Sequence, residues 1–132
     1  MKRYVLTGAP GAGKTSVLRV LPEQGFAVVE EAATDVISRE QRRGVAEPWQ
    51  HAYFIDKITE LQRQRQQEPV AGDARVQVHD RSPLCTLALA QYLGHPVTPL
   101  LAGEVARMTR EQMYEQPVFL LQKLKGLGLG LS

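Results

Sequence analysis

Cysteine, long apolar runs and blocks of like charge are all scarce in this sequence. A single cysteine, Cys85, rules out an intramolecular disulfide, and its apolar neighbours predict a small buried side chain. No apolar run is long enough to cross a membrane, and the N-terminus reaches glycine and proline too early for a secretory signal. These absences predict a cytoplasmic protein without a membrane partner.

Charge is balanced along the chain. The 16 basic and 14 acidic residues give a net charge of +2 and are scattered, so no nucleic-acid partner is expected. The 3 histidines and the single cysteine lack the spacing of a zinc site. With 132 residues, of which 43% are apolar, the chain is suited to one domain with a hydrophobic core.

Short apolar runs alternate with longer amphipathic stretches, which predicts an α/β fold in which a parallel sheet is flanked by helices. Glycine and proline residues separate most of these segments. The predicted strands are 3–7, 26–30, 75–79 and 117–121, and the predicted helices are 14–21, 32–43, 48–67, 83–93 and 98–115.

Residues 8–15 match the pattern G-x-x-x-x-G-K-[ST] between a predicted strand and a predicted helix. Its glycines let backbone N–H groups converge on phosphate oxygens, and the helix start adds partial positive charge. Lys14 is expected to contact the β- and γ-phosphates, and the Thr15 hydroxyl to bind Mg²⁺. The sequence therefore predicts a P-loop that binds ATP, with GTP as the alternative. The predicted nucleotide-binding residues are Gly8, Ala9, Pro10, Gly11, Ala12, Gly13, Lys14, Thr15 and Ser16.

Charged residues follow two other predicted strands. Because the ends of parallel strands meet at one edge of the sheet, Asp80 is predicted to be a second magnesium ligand. Glu30 is the preferred catalytic base and Glu31 its alternative, while Arg81 is predicted to offset charge on the transferred phosphoryl group. The competing interpretation makes the glutamates partners of a helix dipole and Asp80 part of a helix cap.

Together, the P-loop, the carboxylate after the second strand and the Asp80-Arg81-Ser82 sequence after the third resemble deoxynucleoside and thymidylate kinases. Residues 3–122 are also similar to the AAA-domain-containing ATP/GTP-binding family that includes the ribosylnicotinamide-kinase module. The resemblance implies a three-layer P-loop NTPase fold of the kinase-like branch, with Lys14, Glu30, Asp80 and Arg81 as catalytic residues.

The C-terminal end departs from that family. Four strands can be identified, whereas the resemblance implies a fifth strand and an arginine-bearing lid in the place that residues 123–132 occupy. We therefore expect a P-loop domain over residues 1–122, incomplete at its C-terminal end, and a low-complexity tail over residues 123–132.

The leading hypothesis is a magnesium-dependent, phosphotransferase-like ATPase that acts on a small, nucleoside-like acceptor. Residues 31–72 are expected to form the acceptor pocket, with Trp49, Tyr53 and Phe54 available to stack on a ring. The alternatives are a nucleotide-dependent switch or binding module with a protein partner, and a truncated nucleotide binder without turnover. The sequence leaves the acceptor and the oligomeric state open.

Overall fold

A computed structural model of the chain describes residues 1–8, 13–69, 72, 74–115 and 119–121, the last of these by their backbone. The strands are β1 (Lys2–Gly8), β2 (Ala27–Val29), β3 (Val76–Asp80) and β4 (Phe119–Leu121). The helices are α1 (Lys14–Val20), α2 (Ala32–Arg42), α3 (Tyr53–Gln67), α4 (Pro83–Leu93) and α5 (Pro99–Arg110), with short 3₁₀ turns at Pro22–Gln24 and Pro48–Gln50.

All four strands are parallel and lie in the order β2-β3-β1-β4. In the register of the sheet, Leu6 is opposite Asp80 and Val29 is opposite His79. The carboxyl ends of β1, β2 and β3 therefore lie at the same edge. This confirms the predicted α/β class with a parallel sheet.

The described residues divide into two compact units. The sheet unit comprises Met1–Glu30, Pro69–Asp80 and Tyr114–Ser132, and it holds the four strands and α1. The helical unit comprises Glu31–Glu68 and Arg81–Met113, and it holds α2 to α5. The predicted three-layer arrangement concerns both units together and stays a prediction.

The core of the helical unit comes from apolar positions that recur at helical spacing. In α3, buried side chains at positions 54, 55, 58 and 61 form one face of the helix. Each large apolar side chain buried there contributes roughly 1.5–3 kcal/mol. The core residues are Ala32, Val36, Phe54, Ile55, Ile58, Leu61, Ala90 and Leu101.

Two predicted helix boundaries were wrong. The predicted helix 48–67 is interrupted, because Pro48 begins a 3₁₀ turn and His51 has an extended backbone, so α3 starts only at Tyr53. Helix α5 ends at Arg110 instead of 115, and Gln112 has a φ of 47° that an α-helix does not contain.

Two other expectations fall partly or wholly on residues that are not described. The first two residues of the predicted strand 117–121 and the whole predicted tail 123–132 lie outside the described residues. Among the helices that are described, none combines the length and apolar character needed to span a bilayer.

Candidate functional site

A close ion pair marks the carboxyl edge of the sheet unit. Asp80 is the last residue of β3, and Lys14 is the first residue of α1. The Lys14 ammonium donates to Asp80 Oδ1 at 2.7 Å, and both side chains are largely buried. Gly13 precedes the helix with a φ of 92°, a backbone conformation that glycine adopts without steric cost.

The other predicted P-loop residues lie on either side of Lys14 in the chain. Gly8 ends β1, while Thr15 and Ser16 lie exposed in the first turn of α1. The loop that joins Gly8 to Gly13 carries the other predicted phosphate contacts. Those residues, Ala9, Pro10, Gly11 and Ala12, lie outside the described part of the chain.

A family model described as an AAA domain matches residues 3–126. The chain belongs to this AAA-domain family. It is therefore a P-loop NTPase-type domain that binds a nucleoside triphosphate. A comparison with curated proteins found no match.

The two adjacent glutamates of this AAA domain occupy different surroundings. Glu30 follows β2 at the carboxyl edge of the sheet and is exposed. Glu31 belongs to the helical unit, where its Oε2 lies 3.7 Å from Nε of Arg81 and its backbone carbonyl accepts a hydrogen bond from Arg65. The Glu31 carboxylate thus lies beside the Arg81 guanidinium.

Glu31 and Arg81 also line a cavity of about 400 Å³ inside the helical unit. Its walls are mostly apolar and aromatic. Of the three aromatic residues predicted for an acceptor pocket, Trp49 and Phe54 line the cavity and Tyr53 does not. Tyr53 instead stacks on His51, with the ring centroids 5.2 Å apart. The remaining lining residues are Ala33, Ile37, Ile58, Gln62, Cys85, Thr86, Leu89 and Leu93.

Arg81 has an unusual backbone. Its φ is 70°, in the left-handed region that a side chain other than glycine adopts at a cost of roughly 1–3 kcal/mol. Such strain persists only where the surroundings fix it, and it is common at functional sites. Arg81 follows Asp80 directly in the chain and begins the second segment of the helical unit.

Gln62 and Thr86 are polar cavity residues that the sequence analysis missed. The Thr86 hydroxyl donates to Gln62 Oε1 at 3.0 Å, which orients the amide group within the cavity wall. Gln62 begins the stretch 62–68, which contains no apolar residue. Its spacing of four and eight residues from Ile58 and Phe54 places it on their helix face, and this signal could have identified it.

His79, the neighbour of Asp80 in β3, is a second feature without a sequence signal. It is buried, its Nε2–H donates to Gln77 Oε1 at 2.7 Å, and its ring meets the Tyr114 ring edge-on at 5.0 Å. Burial, assisted by the positive charge of Arg3, lowers the pKa of His79 from 6.5 to about 4. The imidazole next to the ion pair is therefore neutral at physiological pH.

Cys85 is half-buried in the cavity wall, with its Sγ 3.8 Å from the Ser82 hydroxyl. Its apolar neighbours in the sequence predicted a buried side chain, whereas in the structure the Cys85 side chain is only partly buried.

Proposed function

We propose that this AAA domain is a magnesium-dependent phosphotransferase that moves the γ-phosphoryl group of ATP to a hydroxyl group of a small, nucleoside-like acceptor. The observation that carries the proposal is the cavity in the helical unit, whose apolar walls contain the Glu31–Arg81 ion pair. A P-loop alone needs no such cavity, whereas transfer to a small molecule needs a place for the acceptor.

The phosphate end of the reaction belongs to Lys14 and Asp80. Lys14 contacts the β- and γ-phosphates, since its flexible ammonium group can leave Asp80 for a more highly charged partner. Thr15 and Asp80 would hold Mg²⁺, an ion that proteins usually bind through one or two side chains together with substrate phosphates. When bound, the ion neutralises charge on the β- and γ-phosphates. No cluster of three acidic, histidine or cysteine side chains occurs in the described residues, and this binding mode requires none.

The acceptor end belongs to the cavity. A volume of about 400 Å³ falls within the usual range of small-molecule sites, and flat apolar walls with few polar groups suit a ring that carries hydroxyls. In this proposal Trp49, which lines the cavity, stacks on that ring, and the Gln62 amide offers donors to its polar edge.

Glu31 is the proposed general base, in place of Glu30. Its carboxylate takes the proton of the acceptor hydroxyl while that oxygen bonds to the γ-phosphorus. The bond between the γ-phosphorus and the bridging oxygen of the β-phosphate breaks at the same time, and ADP leaves with the electron pair. Arg81, already beside Glu31, offsets the negative charge of the transferred group.

Acceptor-dependent ADP formation tests this function. Purified protein is incubated with ATP, Mg²⁺ and a panel of nucleosides, and both ADP and phosphorylated acceptor are measured by chromatography. We expect at least one nucleoside to raise ADP formation. Glu31→Gln should lower kcat by about 10²- to 10⁴-fold without a matching loss of ATP affinity, because a general base acts in the chemical step.

Glu30→Gln is the matched control and should retain near-normal kcat. A loss confined to Glu30→Gln would return the base role to Glu30. If ATP binds and no nucleoside raises ADP formation, the acceptor proposal is wrong, and a nucleotide-dependent switch that responds to a partner protein becomes the better account.

A further inference from the structure

Arg65 lies in the polar last part of α3, yet its side chain is mostly buried. Residues 62–68 contain no apolar side chain, and such a stretch ordinarily faces water. The Arg65 side chain is nevertheless only 16% exposed, whereas that of Arg63, two positions earlier in the same helix, is 53% exposed. Burial of a charged group is unfavourable unless acceptors surround it. Arg65 is therefore held by specific partners within the helical unit.

Both of these partners belong to the start of α2. One Nη–H group of Arg65 donates to the backbone carbonyl of Glu31 at 3.1 Å, and the other Nη pairs with the carboxylate of Asp35. Glu31 is the N-cap residue of α2, and Asp35 follows it by four positions, which is about one helical turn. The donors of a guanidinium group have a fixed, planar arrangement. Two bonds from one such group therefore fix the position of the first turn of α2 against α3.

The bond to Glu31 fixes the backbone from which the Glu31 carboxylate extends. An N-cap side chain often accepts from a backbone N–H group of its own helix, but among the described residues of α2 the Glu31 side chain makes no such capping bond. Its carboxylate lies instead beside Arg81, and both residues line the cavity. Arg65 is not among the described residues that line it. Any effect of Arg65 on the cavity is therefore indirect.

We propose that Arg65 is a positioning residue that directs the Glu31 carboxylate toward Arg81 and the cavity. This inference rests on the function proposed above, in which Glu31 takes the proton of the acceptor hydroxyl. A general base must lie within hydrogen-bonding reach of that proton, and a displacement of about 1 Å can lower the rate about 100-fold. Loss of Arg65 should therefore lower the rate of the chemical step.

Arg65→Met removes the donors while it keeps a long side chain. The variant should fold, because the Asp35 side chain is 40% exposed and water can reach its carboxylate. With a saturating nucleoside, kcat should fall about 10- to 100-fold. The dissociation constant of the nucleoside should change little, as measured through the fluorescence of Trp49, the single tryptophan of the chain and a cavity residue. Far-UV circular dichroism shows whether each variant is folded.

Three further variants separate positioning from a general effect on the fold. Arg65→Lys keeps one charged donor and should recover part of the lost kcat. Arg63→Met is the matched control and should keep the wild-type kcat, because Arg63 pairs with Glu104 in α5. In a Glu31→Gln background, Arg65→Met should lower kcat no further, since the two residues act as one unit.

NMR of the free protein tests the positioning without any turnover. With isotope-labelled arginine, the Arg81 Nε–H signal responds to the nearby Glu31 carboxylate, and its absence in Arg81→Lys identifies it. In Arg65→Met this signal should move toward its position in Glu31→Gln, and in Arg63→Met it should stay in place.

A signal that keeps its wild-type position in folded Arg65→Met would overturn the proposal, even if the wild type phosphorylates a nucleoside. So would a loss of kcat on Arg65→Met that is as large in the Glu31→Gln background as in wild type. Failure of the proposed reaction gives a different result: no nucleoside raises ADP formation in wild type, while the Arg81 signal still moves in Arg65→Met. That result would discard the reaction and keep Arg65 as the residue that positions Glu31.

Discussion

At the residue scale, the Lys14–Asp80 ion pair is the contact that marks the carboxyl edge of the sheet unit. The two residues are far apart in the chain and meet because β1 and β3 are parallel neighbours, with Leu6 opposite Asp80. Parallel strands share a carboxyl edge, so the pattern of strands and motifs predicted that both residues lie at this edge. Their roles toward phosphate and Mg²⁺ stay predictions.

The shared carboxyl edge of the strands does not decide whether Glu30 or Glu31 is the better candidate for the catalytic base. Adjacent residues at the end of a strand point in different directions, and the sequence does not say which one faces a cavity. Only the fold shows that Glu31 reaches Arg81 while Glu30 is exposed. The preferred base of the sequence-based prediction, Glu30, is therefore not among the residues that line the cavity.

His79 predicts a pH dependence of stability. Its pKa is about 4 in the folded chain and near 6.5 when unfolded, so the unfolded chain binds more protons between these values. The stability that neutral His79 confers is complete above pH 6.5 and is lost as the pH falls toward 4. Between pH 7 and 4.5, the free energy of unfolding should fall about 2–3 kcal/mol further in wild type than in His79→Gln.

Urea denaturation of both proteins at the two pH values measures this difference directly. The His79→Gln variant is the reference for wild type, since every other titrating group, including His51 and His95, is shared. Stability curves that run parallel for the two proteins would show that His79 is not a neutral, buried group.

At the scale of elements, periodicity located the helices and strands better than it located their ends. The apolar spacing of α3 included the buried Ile55, Ile58 and Leu61, but it also included the exposed Tyr53 and left out the buried Phe54. It extended to Trp49 and Ala52 as well, which precede the helix. An apolar side chain packs equally well from a 3₁₀ turn, so burial alone does not report backbone conformation. The extended backbone at His51 has no marker in the sequence.

The start of α5 offers a test of a helix cap. Thr98 accepts a hydrogen bond from the Leu101 N–H at 3.2 Å, and its hydroxyl donates to Asp56 Oδ1 in α3. Thr98→Ala removes both contacts and should lower the free energy of unfolding by about 1–2 kcal/mol. Thr98→Ser keeps the hydroxyl and should recover most of this loss.

Chemical denaturation of the two variants measures the effect. Equal losses in Thr98→Ala and Thr98→Ser would mean that the methyl group, and not the cap, provides the stability.

At the scale of the whole molecule, the sequence predicted the sheet, the P-loop and a ring-binding region, but it did not predict which residues would line the cavity. The cavity is lined by residues from α2, α3 and α4 and from the 3₁₀ turn before α3. Its Gln62–Thr86 contact joins two of these elements, and no local pattern encodes such a pairing. The P-loop motif is a local pattern and can be identified from the sequence. The cavity cannot, because it depends on tertiary packing.

The chain passes between the two units at two points that matter for function. Glu30 ends one segment of the sheet unit and Glu31 begins the helical unit, while Asp80 and Arg81 mark the second such point. Residues proposed for phosphate binding belong to the sheet unit, and residues proposed for acceptor binding belong to the helical unit. In our account, nucleotide binding by the sheet unit is the foundation of all later steps.

The measurement that tests this foundation most directly is a titration with a fluorescent ATP analogue in the presence of Mg²⁺. Wild type should bind saturably. Lys14→Ala should bind at least about tenfold more weakly, because it loses a charged contact to the phosphates. The control Lys2→Ala, which removes an equal charge from an exposed position of β1, should bind like wild type. If folded Lys14→Ala binds the analogue as tightly as wild type, Lys14 does not hold the phosphates and our assignment of the site is wrong.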